Sequence, residues 1–163
     1  MARKAGKKMR GTKDFRPMDM KAYSIDDRFW KNKMEVVRTK MIPYQWKALN
    51  DLVEDAAPSH CVKNFRIAAG MEKGDFQGCV FQDSDLAKWL EAVGYTLAWK
   101  KDRELEQMAD EVIAVIEKAQ QPDGYLDTYY IINGLEKRWT NLRDNHELYC
   151  CLLYTSDAAD DRI

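Results

Sequence analysis

SDLAKWLEAVGYTLAWKKDRELEQMADEVIAVIEKAQQPDG, residues 84–124, carries two helical patterns in succession, and its reading decides the fold class. Ser84 stands as a helix cap, and Leu86, Trp89, Leu90, Val93 and Leu97 recur at spacings of three and four, which predicts a helix to about Trp99. Asp102 offers a second cap. Behind it Leu105, Met108, Ala109, Val112, Ile113, Ile116 and Ala119 form one face, and Pro122-Asp123-Gly124 stops the helix. A link this short between two amphipathic helices makes them an antiparallel hairpin.

Outward from this hairpin the pattern stays helical. Phe29, Trp30, Met34, Val37 and Met41 predict a first helix from about Asp27 that ends near Met41. Pro43 then opens a second, with Tyr44, Trp46, Leu49 and Leu52 apolar, until the stretch 55–59 ends it. Residues 55–83, with Gly70, Gly74 and Gly78, read as an irregular excursion. Tyr125 to Ile132 is aromatic and β-branched enough for a short extended piece, and Asn145 caps a helix starting at His146. No strands alternate with helices, so a parallel α/β sheet is excluded. The class is all-α, as stacked helical hairpins, and periodicity alone leaves open whether they close into an α/α barrel or run on as a solenoid.

The 163 residues, 45% hydrophobic, suffice for one domain with a core. Lys and Arg number 26 against 27 Asp and Glu, a net charge of -1, which removes the electrostatic case for a nucleic-acid partner. Apolar runs such as Val112 to Ile116 fall far short of the roughly 20 residues that cross a bilayer, and nothing near Met1 resembles a signal peptide, so no membrane role and a cytoplasmic location are expected. Cys61, Cys79, Cys150 and Cys151 form no C-x-x-C pair, which points to reduced thiols.

Both ends differ from the middle. Residues 1–16 carry Arg3, Lys4, Lys7, Lys8, Arg10, Lys13 and Arg16 against a single Asp14, with hardly any apolar side chain, and 1–22 read as a basic, disordered leader. Cys151 to Asp160 back-translates to one reading frame of the transposon-end adapter used in short-read DNA sequencing. Residues 151–163 are therefore read as a non-native tail, a library artefact, and the chain as a fragment whose natural sequence continues differently past Cys150.

Three local clusters carry polar chemistry. Val80 to Asp85 places Gln82, Asp83, Ser84 and Asp85 at a helix start, where exposed N–H groups and short oxygen-bearing side chains can meet a hydroxylated ligand or simply cap the helix. Gln120 to Leu126 reads as a helix stop and turn. Trp139 to Cys150 packs an indole, a guanidinium, the imidazole of His146 and several carboxyl and amide groups before a helix. Aromatic rings beside Asp, Glu, Asn and Arg suit a carbohydrate, whose C–H faces stack and whose hydroxyls take paired hydrogen bonds.

Together these stretches resemble glycoside hydrolase family 127. The resemblance runs through residues 23–150 and is carried by Ile25 to Trp30, Ile42 to Trp46, Val80 to Asp85 with Lys88 to Ala92, Ala119 to Leu126, and His146 to Cys150. It implies the N-terminal hairpins of an α/α six-hairpin barrel, incomplete in this chain. It also implies a parent enzyme that releases terminal β-L-arabinofuranose with retention, through a zinc-bound cysteine thiolate as nucleophile and a glutamate as acid/base. Zinc ligands and both catalytic groups are implied to lie downstream, and none of the four cysteines matches the family's nucleophile motif, so this fragment is expected to be inactive. His146 is the sugar contact the resemblance carries over, with Gln82 and Asp83 lining the pocket. Two departures are Cys79, where related sequences read methionine, and Gln77, where they read histidine. A non-catalytic helical-repeat module, and another α/α-barrel sugar enzyme such as an epimerase or unsaturated-uronide hydrolase, are the alternatives.

Overall fold

The computed structural model describes residues 22–150; the leader up to residue 21 and the tail 151–163 lie outside the described residues. Among those described, every regular element is helical: α1 (Arg28–Val36), α2 (Ile42–Leu49), α3 (Cys61–Ala68), α4 (Asp83–Trp99), α5 (Arg103–Ala119) and α6 (Thr128–Asn133), then a short 3-10 turn at Leu135–Lys137 and a helical turn at 147–150. None of these helices is long and apolar enough to cross a membrane.

The α4–α5 hairpin forms as its pattern predicts. Asp102 is extended and accepts from the Leu105 N–H at 3.2 Å, capping α5. Leu86, Trp89 and Val93 of α4 meet Leu105, Ala109, Val112 and Ala119 of α5 in one core, while Ile113, read as part of that face, is 44% exposed. The α4 cap falls at Gln82, two residues before Ser84, which is itself buried inside the first turn.

Pro43 does not break the first helix. Between α1 and α2 the chain stays helical through a π segment, Val37–Met41, in which the Ile42 N–H reaches back five residues to the Val37 carbonyl. Pro43 has no N–H to give, and the widened turn before it absorbs the register change. The run lies antiparallel along α4: Trp89 stacks on Trp46 at 4.6 Å and donates from its indole nitrogen to the Ile42 carbonyl at 3.2 Å. At the far end Arg38 pairs with Asp102 (3.0 Å) and Lys100 with Glu35 (2.6 Å), tying the α4–α5 link to the π segment and the end of α1.

Two further expectations are corrected. The excursion 55–83 contains α3, whose Cys61, Val62 and Phe65 are at most 1% exposed and pack against α4, α5 and α6. Eight residues with one buried stripe are too short to stand out by period. The piece Tyr125 to Ile132, read as extended, is instead a cap followed by α6. Asp127 accepts from the Tyr130 N–H at 3.3 Å, and Thr128 is held from α4, so local capping and a distant contact override the β-propensity of Tyr129, Tyr130, Ile131 and Ile132.

Candidate functional site

The start of α4 meets the last polar cluster, 139–150, at one place. Phe81, Ser84, Asp85, Lys88, His146 and Tyr149 line an open groove of about 380 Å³. The imidazole of His146 is exposed to it and stands edge-on to the Phe81 ring at 5.3 Å. Lys88 forms part of the wall, its ammonium 3.2 Å from Asp85, 3.3 Å from the Ser84 hydroxyl and 5.4 Å from the centre of the Tyr149 ring. An apolar rim from Phe81 and Tyr149, with an imidazole, a carboxylate and an ammonium between, can stack a sugar face and bond its hydroxyls.

His146 does not sit inside a helix, as its motif suggested. Its φ is 52°, in the left-handed region, and its carbonyl accepts from the Cys150 N–H at 3.1 Å, so it closes the helix start that follows. Asn145, expected as the cap, sends its amide instead to the Tyr130 hydroxyl at 2.9 Å.

Gln82 and Asp83 sit behind the groove. The Gln82 amide donates to Ser59 and Asp85, both at 3.2 Å, and accepts from the Cys79 N–H at 3.2 Å, joining the 59 and 78–79 loops to α4. Asp83 is 1% exposed, and its carboxylate accepts from the N–H and the hydroxyl of Thr128, both at 2.6 Å. It turns into the junction of α4 and α6, away from the groove wall. Burial lifts its pKa to about 6. Asp127, also 1% exposed, is raised to about 8, by burial first and by the charge of Asp83 second, and its Oδ2 has no hydrogen-bond partner among the described residues.

Gln120 to Leu126 contributes more than a turn. The Tyr125 hydroxyl donates to Glu147 Oε1, and Glu147 Oε2 accepts from the Trp139 N–H at 2.7 Å. Tyr125 and Glu147 each lie in a quoted motif, but their pairing across 22 positions exists only in the fold. Phe81, Lys88 and Tyr149 likewise join the groove through packing, though each lies in a quoted motif.

Among the described residues no group of three or more His, Cys, Asp or Glu side chains is placed to hold a metal ion. The thiols of Cys61 and Cys150 are buried, and burial pushes both well above the ordinary range, while Cys79 is exposed. The residues present do not fit a zinc site.

Comparison with known proteins bears on the family and the fold. The family model described as Beta-L-arabinofuranosidase, GH127 catalytic domain, matches residues 23–160. A non-reducing end β-L-arabinofuranosidase from Bifidobacterium longum subsp. longum is 39% identical over 142 residues, covering 77% of this chain and 22% of the relative. The crystal structure of a GH127 β-L-arabinofuranosidase, Ara127N-Se, from Geobacillus stearothermophilus T6 aligns with a TM-score of 0.76 at 56% identity over 84% of this chain and 23% of that one. The GH127 β-arabinofuranosidase BT3674 shares the fold, with a TM-score of 0.67 at 22% identity over 88% of this chain and 24% of that one. The chain thus spans under a quarter of the length of these relatives.

Proposed function

Because this chain belongs to the GH127 β-L-arabinofuranosidase family, we propose that the protein it forms part of is a retaining glycoside hydrolase that removes terminal β-L-arabinofuranose from oligosaccharides or glycoconjugates. The observation that carries the proposal is the convergence of the α4 start and the 139–150 cluster on one groove, with His146 exposed beside Phe81. In this reading the imidazole hydrogen-bonds a sugar hydroxyl, Phe81 and Tyr149 offer apolar faces, and Lys88 and Asp85 complete the polar wall. Gln82 fixes the loop that presents Phe81, and Asp83 holds the start of α4 against α6, so both act on the groove from behind.

Retaining hydrolysis needs two groups flanking the scissile bond. Within residues 22–150 no metal-ligating cluster is present and none of the cysteines matches the family's nucleophile motif, so the proposal takes nucleophile, acid/base and any zinc from elsewhere in the protein. The 163-residue chain alone is then inactive. The test is release of p-nitrophenol from p-nitrophenyl β-L-arabinofuranoside by the full-length gene product and by the 163-residue chain. Turnover by the first and none by the second is the expected result; turnover by the short chain, or none by the full-length protein, overturns the proposal.

A further inference from the structure

Loop 139–146, which delivers His146 to the groove, is tied at its neck by a single side chain. Glu147 is 1% exposed and begins the helical turn directly after His146. Its Oε2 accepts from the Trp139 N–H at the opposite end of the loop, 2.7 Å away, so one carboxylate closes the loop on itself. Its Oε1 takes the Tyr125 hydroxyl.

Tyr125 is in turn a fixed post. The Trp139 ring stands edge-on to it at 5.5 Å, and the Arg138 guanidinium lies 4.8 Å over its face while bonding Asp123 at 2.7 Å. Both ends of the loop hold a costly backbone: Trp139 at φ 63° and His146 at φ 52°. A non-glycine residue in that region is strained, and it persists where the surroundings over-determine it. Within the loop Asn145 is anchored to Tyr130, so the His146 backbone is held from both neighbours.

We propose that Glu147 is a positioning residue for His146: its two hydrogen bonds set the left-handed backbone that aims the imidazole at the groove, with Tyr125 as the anchor. The proposal rests on the reading of His146 as a sugar contact. A displacement on the order of 1 Å at a contacting group costs up to about 10²-fold in rate, so loosening the neck acts on turnover without touching the sugar.

A mutant cycle in the full-length gene product tests this, with kcat/KM on p-nitrophenyl β-L-arabinofuranoside and Tm as readouts. Glu147→Gln can satisfy only one of the two donors, and Tyr125→Phe removes one donor and leaves the carboxylate. Each is measured alone and together with His146→Ala. Glu147→Gln should lower kcat/KM by about tenfold or more, and Tyr125→Phe should give a smaller loss in the same direction. Neither should reduce kcat/KM beyond about twofold once His146 is already alanine, because the effect passes through the imidazole. A full Glu147→Gln loss persisting on top of His146→Ala overturns the positioning role while leaving the sugar contact standing. No loss for His146→Ala alone overturns both. Should Glu147→Gln fail to fold, the Tyr125→Phe cycle decides by the same criterion, supported by hydrogen exchange at the Trp139 amide, which should quicken when the neck is loosened.

Discussion

Residues two positions apart at the start of α4 face opposite ways: Phe81 stands in the groove with His146, while Asp83 is buried against Thr128. The inner side of that junction titrates. Burial lifts Asp83 to about 6, and burial with the charge of Asp83 lifts Asp127 to about 8. The other ionisable groups that face Asp127 are Glu147, Tyr125, Tyr130 and Cys150. Both aspartates hold a proton more tightly folded than unfolded, where a carboxylate titrates near about 4. Their contribution is full below about pH 4 and is lost as pH rises through about 6 and then about 8. The urea midpoint of the chain should therefore fall between about pH 5 and pH 8.5. Asp127→Asn, which can still accept from the Tyr130 N–H as a cap, should flatten the upper part of that fall; a midpoint that rises over the range contradicts the assignment. Thr128→Val strips one donor from buried Asp83 and should cost about 1–3 kcal/mol in chemical denaturation.

At the scale of elements, the hairpin α4–α5 is held by a cap that serves two purposes. Asp102 caps α5 through the Leu105 N–H and pairs with Arg38 of the π segment, so it fixes the helix start and its place against the first helical run. Asp102→Ala should destabilise by about 0.5–2 kcal/mol, the range for a lost cap. Asp102→Asn keeps a capping oxygen and gives up only the ion pair, which between half-buried side chains contributes little, so it should cost well under half as much. Equal losses in the two variants, read from urea midpoints, would mean that the Arg38 contact dominates. This hairpin was legible in the sequence because its helices run 17 residues each and α5 is capped by Asp102, although the α4 cap falls at Gln82 and not at Ser84. α3 and α6 were not, at eight and six residues, and α6 depends on a contact from Asp83, 45 positions earlier. The π segment escaped because a proline normally ends a helix, and only the widened turn before Pro43 lets it continue.

Among the described residues, the first helical run leaves apolar surface uncovered, with Phe29 58%, Trp30 57% and Tyr44 56% exposed. It spans only 22% and 23% of two β-L-arabinofuranosidase relatives, whose α/α-barrel fold its hairpins share. Isolated, the 163-residue chain should self-associate in size-exclusion chromatography and bind a hydrophobic dye, and replacing Phe29 and Trp30 by serine should reduce both. Elution as a monomer without dye binding would show that this face needs no cover. The tail reading has its own check: the genomic locus should lack the codons for residues 151–160. As for the site, His146 was named from its motif, whereas the Tyr125–Glu147 clasp required the fold, since the pairing spans 22 positions. The central claim is that the groove beside Phe81 binds sugar through His146, and kcat/KM of His146→Ala in the full-length gene product, with its melting temperature, tests it most directly. A loss of about 10²-fold, roughly 2.7 kcal/mol of transition-state binding, with a melting temperature close to the parent's is the predicted result. A strongly lowered melting temperature with activity per folded molecule unchanged would place His146 in the scaffold and contradict the account.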